Sequence, residues 1–268
     1  MNPKPKRKAF TLIELLVVIA IIALLLSVMM PALQKTKEQM KALACRTNLR
    51  SFSTALILYG QDHDGRLFPH DASTVFITWV APYMSDLDKI RYCPSAMPLK
   101  QYLDATSSEI PNDIDAAGTA DRAWFWSVYS NEPVEWGSYA YNGFLYNPDE
   151  QIWGNPAQWH PGKDYWPSAW FTNLNDARQT AEVPTFCDGI WPDTWPDGDD
   201  LPPADADDLY YGSTGWYPYF MQRICVDRHD MAINVSFLDG HAEKVPLEKL
   251  WVLQWHKLFV RNFDIVMP

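Results

Sequence analysis

The residue types best suited to chemistry include a histidine and a carboxylate near the C-terminus. His229 and Asp239 are separated by nine residues, and Gly240 follows the aspartate. A carboxylate that orients an imidazole is a common acid–base arrangement, and the two meet if a hairpin over 232–245 brings them together. Catalysis would also need a nucleophile or a metal, and neither Gly-x-Ser-x-Gly nor His-Glu-x-x-His occurs. The pair is therefore read as a hydrogen-bonded device that fixes strand register and turn, and the chain is expected not to be an enzyme.

Two other groups of side chains offer ligands. Asp193, Asp197, Asp199, Asp200, Asp205, Asp207 and Asp208 lie among Gly and Pro, and flexible carboxylate loops suit hard cations. Calcium at Asp197, Asp199, Asp200, Asp205 and Asp207 is one reading, and a solvated acidic loop is the other. Asp62-His-Asp64-Gly65 opens like an oxygen-ligand loop, but no Glu follows at the twelfth position. The histidines have no His-x3-His spacing. Cys45, Cys93, Cys187 and Cys225 have no Cys-x-x-Cys spacing, which argues against a zinc ribbon or a thioredoxin-like motif. In an exported domain four cysteines allow two disulfides in three connectivities. Pairing of chain neighbours, Cys45–Cys93 and Cys187–Cys225, is preferred, with free buried thiols as the alternative.

The elements that position these groups start with a long apolar run. Residues 1–9 carry Lys4, Lys6, Arg7 and Lys8 and no acid. Taking those four from the 22 basic residues leaves 18 against 33 acidic ones, a net −15 for the rest. An acidic body argues against nucleic acid as a partner, and basic residues before an apolar run are the positive-inside signature. Phe10–Met30 is a 21-residue stretch with one charge, Glu14. As a helix it reaches about 31 Å, roughly one hydrocarbon thickness, which makes it a retained anchor. A carboxylate inside such a segment costs on the order of 3 kcal/mol and calls for a partner or an interfacial position.

Beyond Pro31 the helix is expected to continue to Tyr59. Leu33, Met40, Leu43, Thr47 and Arg50 form one stripe, and Leu49, Phe52, Leu56 and Tyr59 form another, with Gly60 and Gly65 at the stop. The body divides into 1–9 basic leader, 10–30 transmembrane helix, 31–60 amphipathic continuation and 61–268 exported domain. In the domain, Thr74–Val80, Ala123–Tyr129 and Gly137–Tyr141 are candidate strands or short helices. Ala232–Leu238, the Asp239-Gly240 turn and His241–Val245 read as a hairpin, and Pro246–Leu258 reads as a helix. An α+β fold follows, with the long N-terminal helix packed on an antiparallel sheet and long Trp- and Pro-rich loops. The chain has 13 Trp and 21 Pro, and ten of the Trp fall between 124 and 216. Flat amphipathic rings of this kind serve either a core or a contact surface for polysaccharide or a secreted client.

The segment Lys8-Ala-Phe-Thr-Leu-Ile-Glu-Leu-Leu-Val-Val-Ile resembles the prepilin cleavage and methylation motif of type IV pilins and type II secretion pseudopilins. The resemblance implies a pilin-like fold, cleavage between Ala9 and Phe10 by a prepilin peptidase, and N-methylation of Phe10. Glu14 stands at the family's fifth mature position, and Pro31 at its helix-kinking proline. Ala9 departs from the usual Gly. The implied protein is a single-pass inner-membrane subunit with a cytoplasmic N-terminus and a periplasmic or extracellular body. It would pack against other pilin-like subunits through the helix. Major pseudopilins carry a calcium site in the C-terminal loop region, which extends to the aspartates above as an expectation. His229-x9-Asp239-Gly240 is similar to the processing-associated His-x9-Asp-Gly signature. Tyr59–Pro69, Cys93-Pro-Ser95 and Ser138–Gly143 resemble recurrent blocks of the same group.

Overall fold

The computed structural model describes residues 12–70, 75–97, 117–126, 135–147, 166–215 and 218–268. The chain falls into two compact units, Met1–Met40 and Lys41–Pro268. A single helix, α1 (Leu12–Asp62), runs through 51 residues with Pro31 inside it, close to the expected extent. It stops where Asp64 and Gly65 take left-handed backbone conformations, φ 55° and 83°, and the Gly65 N–H caps the Gly60 carbonyl at 2.7 Å.

In the first unit the α1 side chains from Leu12 to Met30 are exposed, and this helix is long and apolar enough to cross a membrane. In the second unit α1 buries Cys45, Leu49, Phe52, Ser53, Ala55, Leu56, Tyr59 and Gly60. The 45, 49, 52, 56, 59 spacing is one helical stripe. Of the two stripes read from the sequence, the one through Leu49 and Phe52 makes the core. Leu33, Met40 and Leu43 of the other are exposed.

The body is a five-stranded sheet in the order β5-β3-β4-β6-β7, made of β3 (Tyr139–Asn142), β4 (Pro184–Asp188), β5 (Asp193–Thr194), β6 (Ala232–Phe237) and β7 (Ala242–Pro246). All pairs are antiparallel except β3–β5. A separate ribbon pairs β1 (Trp124–Trp126) with β2 (Glu135–Gly137). The hairpin formed by β6 and β7 turns at Asp239-Gly240 as expected, with Gly240 at φ 88°. The architecture is α+β and pilin-like: a long helix packed on a largely antiparallel sheet.

Both central strands are buried throughout, and alternation sorts their side chains. Ile233, Val235 and Phe237 join Trp251, Trp255 and Leu250 in one apolar layer. Phe186, Tyr139 and Tyr141 lie in the other layer with Phe52 and Leu49 of α1. Phe52 is its hub, with ring centroids 5.4 Å from Phe186, 5.6 Å from Tyr139 and 5.8 Å from Phe76. A register shift between Pro184 and Cys187 interrupts β4. It lets two consecutive residues face the helix: Phe186 meets Phe52, and Thr185 meets Ser53 at 2.5 Å.

The C-terminal segment differs from its expected form. A 3-10 helix spans Leu247–Val252 in place of an α-helix over 246–258. Tertiary partners take the backbone N–H groups that an α-helix would use internally. Gln254 donates to Glu182 and Lys257 to Ala169. The apolar face foreseen there, Leu247, Leu250, Trp251 and Trp255, is nonetheless buried. Thr74–Val80 yields a short helix, Phe76–Val80.

Replacing Phe52 with Ala is expected to cost about 3–5 kcal/mol, the range for a buried aromatic. The exposed neighbour Arg50→Ala should stay within about 0.5 kcal/mol. Urea unfolding of the detergent-solubilised chain measures both, and equal midpoints for the two variants would refute the hub role.

Candidate functional site

Of the N-terminal motif residues, Ala9 and Phe10 lie outside the described residues. Glu14 falls in the first turn of α1, where an acidic side chain complements the helix dipole. The aliphatic side chains of that turn and the next are exposed, Leu12 by 82% and Ile13 by 76%, so this stretch of helix presents apolar surface in every direction. A surface of that kind is stable in lipid or against other helices, not in water.

The C-terminal histidine and aspartate do not meet. Strand β6 separates them, and six extended residues span about 20 Å. His229 sits before the strand and Asp239 after it. Asp239 instead accepts from His241, 2.6 Å to the ring nitrogen and 3.0 Å to its backbone N–H, and so fixes the exposed hairpin turn.

His229 faces a different carboxylate. Its Nε2 is 3.2 Å from Asp188 Oδ2 and 3.3 Å from Cys93 Sγ. Cys45 Sγ lies 3.4 Å from the other Asp188 oxygen. Four separate elements deliver these side chains: α1 brings Cys45, the turn after the short helix Leu87–Ile90 brings Cys93, the end of β4 brings Asp188, and the turn into β6 brings His229. That last turn is tight because Asp230 and Met231 both adopt positive φ, 62° and 51°. The Asp227 carboxylate holds it through the Met231 N–H at 2.7 Å. The His229 N–H closes it on Ala232 at 3.0 Å. Cys93 is pinned by its own N–H to Ser138 Oγ, 2.5 Å.

All four residues are buried, and their ligand atoms lie within 4.8 Å of one another. Arg228, fully buried, approaches Asp188 Oδ1 at 3.3 Å and donates to the carbonyls of Ala120, Ser138, Thr119 and Gly189. The Asn234 N–H adds 2.8 Å to Asp188 Oδ2. Burial disfavours the charged Asp188 carboxylate, but His229, Arg228 and the Asn234 N–H outweigh it and hold the group down at about 2. Burial likewise works against a charged His229, and Asp188 reverses that, lifting the imidazole to about 9. Burial would raise the Cys93 thiol, yet its contacts with Cys45 and His229 bring it down to about 6. Cys45, buried beside Asp188, is pushed well up.

The disulfide pairings are corrected: all four cysteines are free and buried. Cys45 and Cys93 are neighbours, but within a cluster that surrounds both with polar groups. Cys187 packs on the Ala140 carbonyl at 3.8 Å, and Cys225 on Met267 sulfur at 3.9 Å. The calcium candidates do not converge. Asp205 caps the helix Ala206–Tyr211 through the N–H groups of Asp207 and Asp208. Asp197 accepts from Gly198, and Asp200 accepts from Asp197 and Met221. Asp199 and Asp207 are exposed. Of the loop aspartates near α1, Asp62 accepts from the Tyr83 hydroxyl at 3.1 Å. The tryptophans divide: Trp124, Trp170 and Trp195 are core, while Trp126, Trp136 and Trp191 are half-buried. Trp153, Trp159, Trp216 and the Trp166 side chain lie outside the described residues.

Sequence reasoning missed Asp188 and Arg228. A signal existed in Val183-Pro-Thr-Phe-Cys-Asp188, where a charge ends an otherwise strand-like run.

The chain thus joins an apolar N-terminal helix of membrane-spanning length to a body in which helix packs on sheet. The family model for the prokaryotic N-terminal methylation motif matches residues 4–30, so the chain carries a prepilin-type N-terminus. No curated protein and no solved structure matches it.

Asp200 offers a pH test independent of the cluster. Burial pushes its carboxyl up to about 8 from 3.8, with Asp197 and Asp199 adding to the rise and two backbone N–H groups opposing it. A folded-state value above the unfolded one contributes stability that is complete below 3.8 and lost as pH climbs through about 8. Asp200→Asn should therefore gain on the unmodified chain between pH 5 and pH 9 in urea unfolding. A constant difference across that range would contradict the shift.

Proposed function

We propose that this chain is a pilin-like structural subunit of a type II secretion or type IV pilus-like filament. The observation that carries the reading is the methylation motif at residues 4–30, supported by the apolar helix behind it. A prepilin peptidase cuts between Ala9 and Phe10 on the cytoplasmic side and the Phe10 amine is methylated. The helix stays in the inner membrane, with the body in the periplasm or outside the cell. The His-x9-Asp-Gly resemblance supports reading the body as one of the group that shares this leader.

The mechanism is assembly and not catalysis. Helices exposing apolar side chains on all sides pack against those of other subunits. Glu14 meets the Phe10 amine of a neighbour in a medium of low dielectric. Charge pairing there is far stronger than on a wet surface, and an unmatched carboxylate is costly, so the pair selects one axial register. A second role, binding of polysaccharide or a secreted client, rests on the half-buried Trp126 and Trp191, which pack edge to face at 5.2 Å.

Two experiments test the reading. Intact-mass analysis of the membrane-recovered protein, with and without a prepilin peptidase, should show a mature chain that starts at N-methylated Phe10. A chain that keeps Met1 in the presence of the peptidase would overturn processing. Glu14→Leu should insert into membranes normally but lose co-purification with the unmodified subunit. Recovery equal to the unmodified chain would remove Glu14 from assembly.

A further inference from the structure

The buried cluster under the helix has the composition and spacing of a metal site. We propose that Cys45, Cys93, Asp188 and His229 bind one zinc ion in a closed, four-coordinate structural site.

Distances carry the first part of the argument. A tetrahedral zinc ion with Zn–S about 2.3 Å and Zn–N and Zn–O about 2.0–2.2 Å separates its ligand atoms by roughly 3.4–3.8 Å. The observed edges are 3.2 Å for His229 Nε2 to Asp188 Oδ2 and 3.3 Å for His229 Nε2 to Cys93 Sγ. Cys45 Sγ to Asp188 is 3.4 Å and 3.5 Å to the two oxygens. Every edge lies within 4.8 Å. The edges at 3.2–3.5 Å are already close to tetrahedral spacing, and closing the widest on a metal takes a movement of at most about 1 Å.

Chemistry carries the second part. Two thiolates, one imidazole and one carboxylate are a zinc set, while oxygen-only sets suit calcium and magnesium. Among the described residues this is the group of His, Cys, Asp and Glu side chains whose ligand atoms converge. The charges also balance. Two thiolates and a carboxylate around Zn²⁺ leave one negative charge, and Arg228, buried against Asp188, neutralises it. Arg228 is itself held by four carbonyls, and the Asn234 N–H orients Asp188 from behind. Metal ligands elsewhere are held by a supporting shell of this kind.

The protein supplies four ligands, all buried, which leaves no open position for water or substrate. The site is therefore structural. Its four ligands come from the helix, a loop, a central strand and a turn, so the metal ties α1 to the sheet. On binding, the protons held on the thiols and on the His229 imidazole leave to solvent, and no electrons move.

The test uses the full chain in detergent, stripped with a chelator under a non-thiol reductant and then given ZnCl₂ or CoCl₂ alone. About one equivalent of zinc should bind. Cobalt should give the intense visible bands of a four-coordinate site together with a thiolate charge-transfer band. Thiol titration of the stripped, denatured chain should count all four cysteines. Cys93→Ser and His229→Gln should lose the stoichiometric metal, and Cys187→Ser should keep it. Should the ligand variants not fold, the cobalt spectrum of the unmodified chain still decides. A weak octahedral spectrum, or no binding by the fully reduced chain, overturns the proposal. So does a Cys45–Cys93 disulfide in protein recovered from membranes.

Discussion

A carboxylate removed wholly from water must be surrounded by donors, and much of the body is arranged around Asp188 to provide them. It stands at the end of a central strand with no exposure. Its two oxygens receive a guanidinium, an imidazole, a backbone N–H and a thiol. An ionised group in that position without such partners would cost several kcal/mol. The demand reaches outward: Arg228 must be held by carbonyls of three separate segments, and His229 needs a turn with two residues in left-handed conformation. The helix is drawn in because Cys45 faces the same carboxylate. One buried charge thus fixes the meeting of elements far apart in the chain.

The helix–sheet layer shows a second use of polarity. Helix packing on a sheet through apolar contacts alone leaves sliding and rotation poorly determined, since the hydrophobic effect has no direction. Here three polar links lie along one face of α1. The Ala42 carbonyl accepts from Asn234 at 3.1 Å, Cys45 meets Asp188, and Ser53 bonds both Thr185 and the Phe237 carbonyl. They sit between the aromatic contacts of Phe52 and specify one register of helix on sheet.

The sequence disclosed those parts of the fold that rest on local periodicity. The 51-residue helix, the Leu49–Phe52–Leu56–Tyr59 stripe, and the hairpin over Asp239-Gly240 all follow from spacing and turn chemistry. Strand β4 was not legible, because a proline at its start and a register shift inside it break the period-two pattern. The cluster was illegible for a different reason. Its residues are 45, 93, 188 and 229, and nothing local links positions so widely separated. His229 was singled out for the right chemistry but given the wrong carboxylate. The hairpin that suggested Asp239 holds the two apart, since an antiparallel turn joins residues near the turn and separates those at opposite ends of one strand. In the aspartate-rich stretch, Asp197, Asp200 and Asp205 accept from backbone N–H groups, a use of carboxylates that composition alone does not separate from cation binding.

The polar links along α1 have a mechanical meaning. The Ala42, Cys45 and Ser53 contacts and the Phe52 ring cluster lie in series along the helix axis. A pull on the N-terminal end of α1, directed along that axis, loads them together in shear, so they must yield almost at once. A pull directed away from the sheet opens them singly, like a zip. The domain is therefore stiff along the direction of its own helix and compliant across it.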